Sequence, residues 1–152
     1  MTSRDLAGAA RRLLAGRGEG VLATVSLHRA GFPFASLAPY ALSRAGEPLL
    51  LLSGLAQHTR NLRADPRACL FVQEAGQGAS QDRARLAVLG RAGPVAAADL
   101  EEARARYLAR HPEAEAWAAL GDFAPYLLAI EEAHLVGGFG QAGWIARGDL
   151  VT

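Results

Sequence analysis

The densest run of chemically able residues is Ser53-Gly54-Leu55-Ala56-Gln57-His58-Thr59-Arg60-Asn61. An apolar, strand-like stretch ends at Ser53 and a helical pattern follows. Hydroxyls, an imidazole, a guanidinium and two amides therefore gather around the first turn of a helix. Unpaired backbone N–H groups at a helix N-terminus, joined by hydroxyl and cationic side chains, make a cradle for phosphate. His58 and Asn61 lie three apart and so occupy neighbouring positions on one helix face. The same spacing also fits a plainer role, in which Ser53 caps the helix and the polar side chains face water.

Composition narrows what such a cradle can serve. The 152 residues carry a net charge of +1, and all sixteen basic residues are arginine. Without lysine there is no Schiff base and no P-loop of the GKS or GKT kind. A single cysteine, Cys69, excludes a disulfide framework, a CxxC pair and a zinc–cysteine cluster. The near-zero charge argues against nucleic acid as a partner. No apolar run approaches the roughly 20 residues of a membrane helix. The first eighteen residues are arginine-rich and amphipathic, as in a mitochondrial presequence, but read better as an ordinary first helix capped by Ser3. The cytoplasm is the expected compartment.

Other candidates are weaker. Gly138-Phe139-Gly140-Gln141-Ala142-Gly143 satisfies GxGxxG, but too little sequence follows it for the βαβ unit of a dinucleotide site. Glu132 and His134 share a strand face, yet two ligands do not make a metal site, and none is expected. His28 reads as exposed and His111 as a helix cap. Cys69 reads as a small buried hydrophobe. Tyr40 and Tyr126 read as core aromatics. Glu101-Glu102 and Glu131-Glu132 put neighbouring carboxylates on opposite faces.

The elements that position these residues follow from periodicity. Leu6, Ala9, Ala10, Leu13 and Leu14 form one helical face. Gly20 to His28 alternates, with Val21, Ala23, Val25 and Leu27 opposite Leu22, Thr24, Ser26 and His28. A turn at Arg29-Ala30-Gly31 leads to a second run, Phe32 to Ser43, which Pro39 marks as an edge or bulged strand. A third strand spans Leu49 to Ser53, completing a meander of two hairpins. Gly54 to Ala64 is a helix with Leu55, Thr59 and Leu62 inward. Strands at Ala68 to Glu74 and Arg83 to Val95 flank a loop at Ala75 to Asp82. Asp99 opens a helix to Arg110 with capping-box spacing to Glu102. A short helix runs from Pro112 to Ala119, a long strand from Phe123 to Val136, and a last extended piece from Phe139 to Arg147. The chain reads as one domain over residues 1–152, of α+β class and mainly antiparallel β: a six- to seven-stranded split β-barrel with peripheral helices.

Five segments carry a family resemblance: GVLATVSLHRAGFPFASLAPYAL, LLLSGLAQHTRNLRADPRACLFV, RLAVLGRAGPV, YLARHPEAEAW and HLVGGFGQAGWI. Together they resemble the pyridoxamine 5′-phosphate oxidase-like FMN-binding split barrels, and most of all the branch related to haem-utilisation proteins. The likeness runs from about residue 5 to 147, and the Ser53 to Arg67 run is its most specific part.

The resemblance implies a homodimer that holds FMN in clefts between subunits. Ser53, His58, Thr59 and Asn61, with Gln57 in the same turn, would hold the phosphate region. Ala35, Ser36 and Leu37 would border the flavin ring or ribityl chain. Arg85 would reach the cofactor from the partner subunit, and Trp144 would lie near the ring. The function implied is that of an FMN-dependent oxidoreductase acting on a small molecule; the alternative is a non-catalytic FMN- or haem-binding carrier. Two departures point away from particular chemistries. The oxidase's arginine–lysine phosphate cluster has no counterpart here, and the last histidine is His134, whereas haem-degrading relatives carry a C-terminal histidine or extra sequence.

Overall fold

The computed structural model describes residues 2–138 and 140–152. Helix α1 (Ser3–Gly16) opens the chain. Its cap is Thr2, not Ser3: Asp5 N–H donates to Thr2 Oγ1 at 3.2 Å, and Thr2 N–H donates to Asp5 Oδ2 at 3.0 Å. The two hydrogen bonds satisfy each other's end of the first turn. Ala7, Ala10 and Leu14 are buried, and Leu6, Ala9 and Leu13 pack beside them.

Eight strands follow: β1 (Glu19–Val25), β2 (Pro33–Pro39), β3 (Ala41–Leu42), β4 (Pro48–Ser53), β5 (Arg67–Gln73), β6 (Arg85–Pro94), β7 (Phe123–Val136) and β8 (Ala142–Ala146). Helix α2 (Gln57–Ala64) joins β4 to β5. Helices α3 (Leu100–Arg110) and α4 (Glu115–Ala118) lie between β6 and β7, and α5 (Arg147–Leu150) follows β8. The expected last strand was to begin at Phe139, which lies outside the described residues, as does part of the GxGxxG match.

All strand pairs are antiparallel, in the order β2-β1-β5-β6-β7-β4-β3, with β8 also on β7. The expected second strand, Phe32 to Ser43, is in fact two. β2 and β3 stand at opposite margins of the sheet, yet one residue, Tyr40, separates them in sequence. The sheet must therefore curl until its margins meet, which makes it a split barrel rather than a flat meander. β2 is an edge strand, as its proline requires.

Tyr40 is fully buried and bonded in three directions. Its N–H donates to the Gly18 carbonyl at 2.9 Å, and its hydroxyl donates to the Leu14 carbonyl at 2.6 Å. Its own carbonyl accepts from His111 Nε2 at 2.7 Å. His111 thus closes α3 as expected, and fastens it to the seam.

The main core fills the inside of the curl: Leu22, Leu70, Val72, Leu86, Val88, Leu128, Ile130 and Leu135, with α1 laid over them. A second cluster lies under α3, where Ala103 and Tyr107 cover Leu49, Ala41 and Leu127 on the outer side. Burial pushes the Tyr107 hydroxyl up to about 12. The register of β6 with β7 shifts between Leu89 and Gly90, because Glu131 is an extra residue in β7. Glu131 and Glu132 are consequently both exposed, where strict alternation would put one of them inside. The D-x-x-E box at Asp99 does not form: Asp99 already has helical backbone angles and makes no capping bond, because a single 3₁₀ turn, Ala97–Asp99, precedes the helix.

At the far end, Glu47 is buried between two partners. It accepts the Ile130 N–H at 2.8 Å and pairs with Arg147 at 2.7 Å, holding the last turn of chain onto the barrel. No helix among the described residues is long and apolar enough to cross a membrane.

Candidate functional site

Helix α2 begins at Gln57, three residues later than its pattern suggests, with Ala56 at the N-cap. Ser53 therefore does not cap it. Its hydroxyl donates to Asp122 Oδ2 at 2.7 Å and accepts the Leu55 N–H at 3.1 Å. The carbonyl of Ser53 accepts both the Ala56 N–H and the Thr59 hydroxyl, the latter at 2.6 Å. Leu55 sits in this turn, before the helix, and so is exposed rather than inward. Ala56 has no polar side chain to offer, and the first amides of α2 are left without a side-chain cap.

Thr59 and Asn61 are completely buried. Asn61 Nδ2 donates to Thr24 Oγ1 at 3.0 Å, while its Oδ1 accepts from Leu27 N–H at 2.9 Å and Gln57 Nε2 at 3.0 Å. These side chains are engaged by the fold. His58 differs. Its Nδ1 lies 3.4 Å from Ser36 Oγ, and its Nε2 is buried with no partner among the described residues. Burial disfavours the charged ring and pulls its pKa below the usual 6.5, so the imidazole is neutral at pH 7.

The remaining residues expected at the site lie on the other side of the sheet. Directly paired residues on antiparallel strands point the same way. The pairings Leu37–Val21, Val21–Phe71, Phe71–Ala87, Ala87–His134 and His134–Trp144 therefore draw one outward row across β2, β1, β5, β6, β7 and β8. A parallel row holds Ala35, Ala23, Cys69 and Leu89. Leu37 is 66 % exposed and Trp144 60 %, with Val21 and Phe71 both at 39 %. The rings of His134 and Trp144 meet at 4.8 Å and 55°. Arg85 flanks the row on β6, its Nη1 donating to the Gln81 carbonyl at 2.9 Å. Ala35, Leu37, Arg85 and Trp144 thus share the outer face, while Ser36 turns inward to His58.

One correction concerns a single residue, and one finding concerns the whole face. Cys69 is half-buried on the outer face rather than in the core, and its desolvated thiol is pushed up in pKa, which makes it a poor nucleophile. The outward row itself is absent from the sequence reading, although β1 carries its signal. There the more apolar set, Val21, Ala23 and Val25, faces out, and Leu22, Thr24 and Ser26 are buried. A strand that hides its polar residues and shows its apolar ones is built for contact on both faces. Among the described residues no group of three or more His, Cys, Asp and Glu could hold a metal.

With this geometry in hand, known proteins offer a comparison. Residues 1–150 match the family described as CREG, beta-barrel. A curated relative from Arabidopsis thaliana, the chloroplastic non-canonical haem oxygenase HOZ, is 35 % identical over 113 residues, 74 % of this chain. The chain spans 34 % of that relative's length. The structure of a haem-binding protein from Mycobacterium smegmatis superposes with a TM-score of 0.88 at 28 % identity, covering 99 % of this chain and 60 % of that one. HutZ, the haem storage protein of Vibrio cholerae, gives 0.67 at 26 % identity, covering 88 % of this chain and 94 % of that one. The resemblance to the oxidase-like split barrels and their haem-utilisation branch is borne out.

Proposed function

The chain belongs to the CREG β-barrel family, and from that premise we propose that it is a haem-binding split-barrel subunit that pairs with a second copy through the outer face of its sheet. The observation that carries the proposal is the His134–Trp144 pair, rings 4.8 Å apart, at the end of an exposed apolar row. Haem asks for a flat apolar bed, a nitrogen for its iron and cations for its two carboxylates. Trp144 and Phe71 supply apolar surface, His134 an imidazole nitrogen, and Arg85 a guanidinium. The donor types fit the group. Bound there, haem would supply a redox-active iron. The chain's own part is to seat the macrocycle against Trp144, orient it through His134 and exclude water with the apolar row.

The second copy is supported by distance. Leu37 and Trp144 are five inter-strand steps apart, roughly 24 Å along the sheet. One small ligand cannot touch both within a single chain, whereas two sheets face to face bring unlike ends of the row together.

FMN is the second reading, favoured by the partnerless His58 Nε2 beside Ser36 and the uncapped first turn of α2. A flavin there would supply hydride chemistry, and the protein would be an oxidoreductase. Titration with haemin and, separately, FMN distinguishes the two. Saturable growth of a Soret band that shifts in His134→Ala supports the haem proposal. A Soret response identical in that variant removes His134 as the ligand. Quenching of FMN fluorescence, lost in His58→Ala, with no saturable haemin response, replaces haem by FMN.

A further inference from the structure

Three arginines converge on a cavity that neither reading uses. It measures about 410 Å³ and is lined by Arg17, Tyr40, Leu42, Arg106 and Arg110, with alanines around them. It lies where α1 and α3 end, against the seam of the barrel. No carboxylate among the described residues lines it. None of the three arginines belongs to an ion pair among the described residues. Arg17 Nε is buried and has no hydrogen-bond partner among the described residues. Arg106 spends only its Nε, on the Leu42 carbonyl at 2.8 Å. Arg110 lies across the backbone of Gly18, so close that a Cβ there would fall 2.5 Å from its Nη2.

The convergence is held in place rather than incidental. Tyr40 bonds to Leu14 at the end of α1, to Gly18 just before β1 and to His111 at the end of α3. One buried residue thus fixes the segments that carry Arg17 and Arg110. Each of these two arginines sits at a helix C-terminus, whose partial negative charge offsets part of the repulsion. It offsets only part, because a terminus carries about half a unit charge and the cavity holds three guanidiniums. Glu74 lines the neighbouring cavity, which shares Arg17, and its carboxylate accepts the Ala84 N–H.

Guanidiniums present paired N–H donors in a fixed fork that matches an oxyanion. We propose that this cavity is an oxyanion site, accepting the phosphate or carboxylate group of a small molecule whose apolar part lies against Leu42 and the lining alanines. The site is separate from the haem or FMN site and does not depend on either reading.

The test uses inorganic phosphate, with acetate as the carboxylate arm and chloride at matched ionic strength as the control. Calorimetric titration and thermal midpoints are read on the wild type, Arg110→Gln and Arg110→Lys. The expected result is a saturable phosphate or acetate response that chloride does not produce. Affinity should fall at least tenfold in Arg110→Gln and stay reduced in Arg110→Lys, which keeps the charge and loses the fork. A stronger phosphate than acetate response identifies a phosphoryl ligand, and the reverse identifies a carboxylate. Arg110 is exposed, so its variants fold, and His134→Ala should bind the anion as the wild type does. No saturable response to either anion, or equal affinity in wild type and Arg110→Gln, overturns the proposal.

Discussion

Asn61 Oδ1 accepts the backbone N–H of Leu27 at 2.9 Å, across 34 positions of chain. The bond takes the amide that would have continued β1, so the strand stops at Val25 and the chain turns toward β2. With Nδ2 on Thr24, the one asparagine of the sequence ties α2 to the end of the first hairpin. Its replacement by leucine leaves the buried Thr24 hydroxyl without its donor and the Leu27 N–H without its acceptor. We expect a loss of roughly 2–4 kcal/mol in denaturant midpoint stability. A loss below about 0.5 kcal/mol, the range of an ordinary surface change, would show that the tie is not structural.

His58 makes stability depend on pH in a stated direction. Its pKa in the fold lies below the usual 6.5 because burial disfavours the charged ring. The unfolded chain therefore binds more protons between the two values, and stability rises with pH across that window. On acidification below about 6.5 the wild type should lose stability that His58→Gln retains. Parallel thermal melts from pH 7.5 to 5 measure the difference, and a constant gap between the two proteins contradicts it.

Gly90 follows the bulge, and a Cβ there would overlap the Ala129 carbonyl oxygen across the ladder. Backbone cannot yield as a side-chain tip does, so Gly90→Ala should cost about 3 kcal/mol. Gly93, three residues on in the same strand, has nothing within 4 Å of such a Cβ. Gly93→Ala should change stability by no more than about 0.5 kcal/mol. Equal effects at the two glycines would refute the steric account.

Phe71 stands in the middle of the outward row. A glutamate there is tolerated by an isolated barrel, since the side chain faces away from the core. In a two-fold contact the charge is desolvated twice, and self-association should weaken by roughly 100-fold. Sedimentation equilibrium on Phe71→Glu, with circular dichroism to verify the fold, reads this directly. An unchanged association state would place any dimer contact elsewhere.

Much of the architecture is legible in period and punctuation. Alternation marks the strands, glycines and prolines mark their ends, and Pro39 announces an edge. What periodicity cannot show is where the sheet closes. The run from Phe32 to Ser43 alternates without a break, and only the burial of Tyr40 by three separate segments reveals a seam inside it. The cradle at Ser53 to Asn61 was legible as a cluster of polar types, but not as to which side chains the fold would take for itself. Thr59 and Asn61 bond to residues far away in sequence or across a turn, and spacing within a helix says nothing of such partners. The outward row is invisible for a related reason: its members come from six strands and meet only through register.

The extra residue at Glu131 has a last consequence. Below it Tyr126, Leu128 and Ile130 point inward, and above it Ala133 and Leu135 do. The strand is in effect two lengths spliced out of phase. Substitutions in either length can be accommodated locally, but removing or adding one residue between them would exchange inside for outside along a whole length. β7 can therefore drift in composition while its residue count stays fixed. Its lower part answers to the helix that roofs it, and its upper part to whatever meets His134.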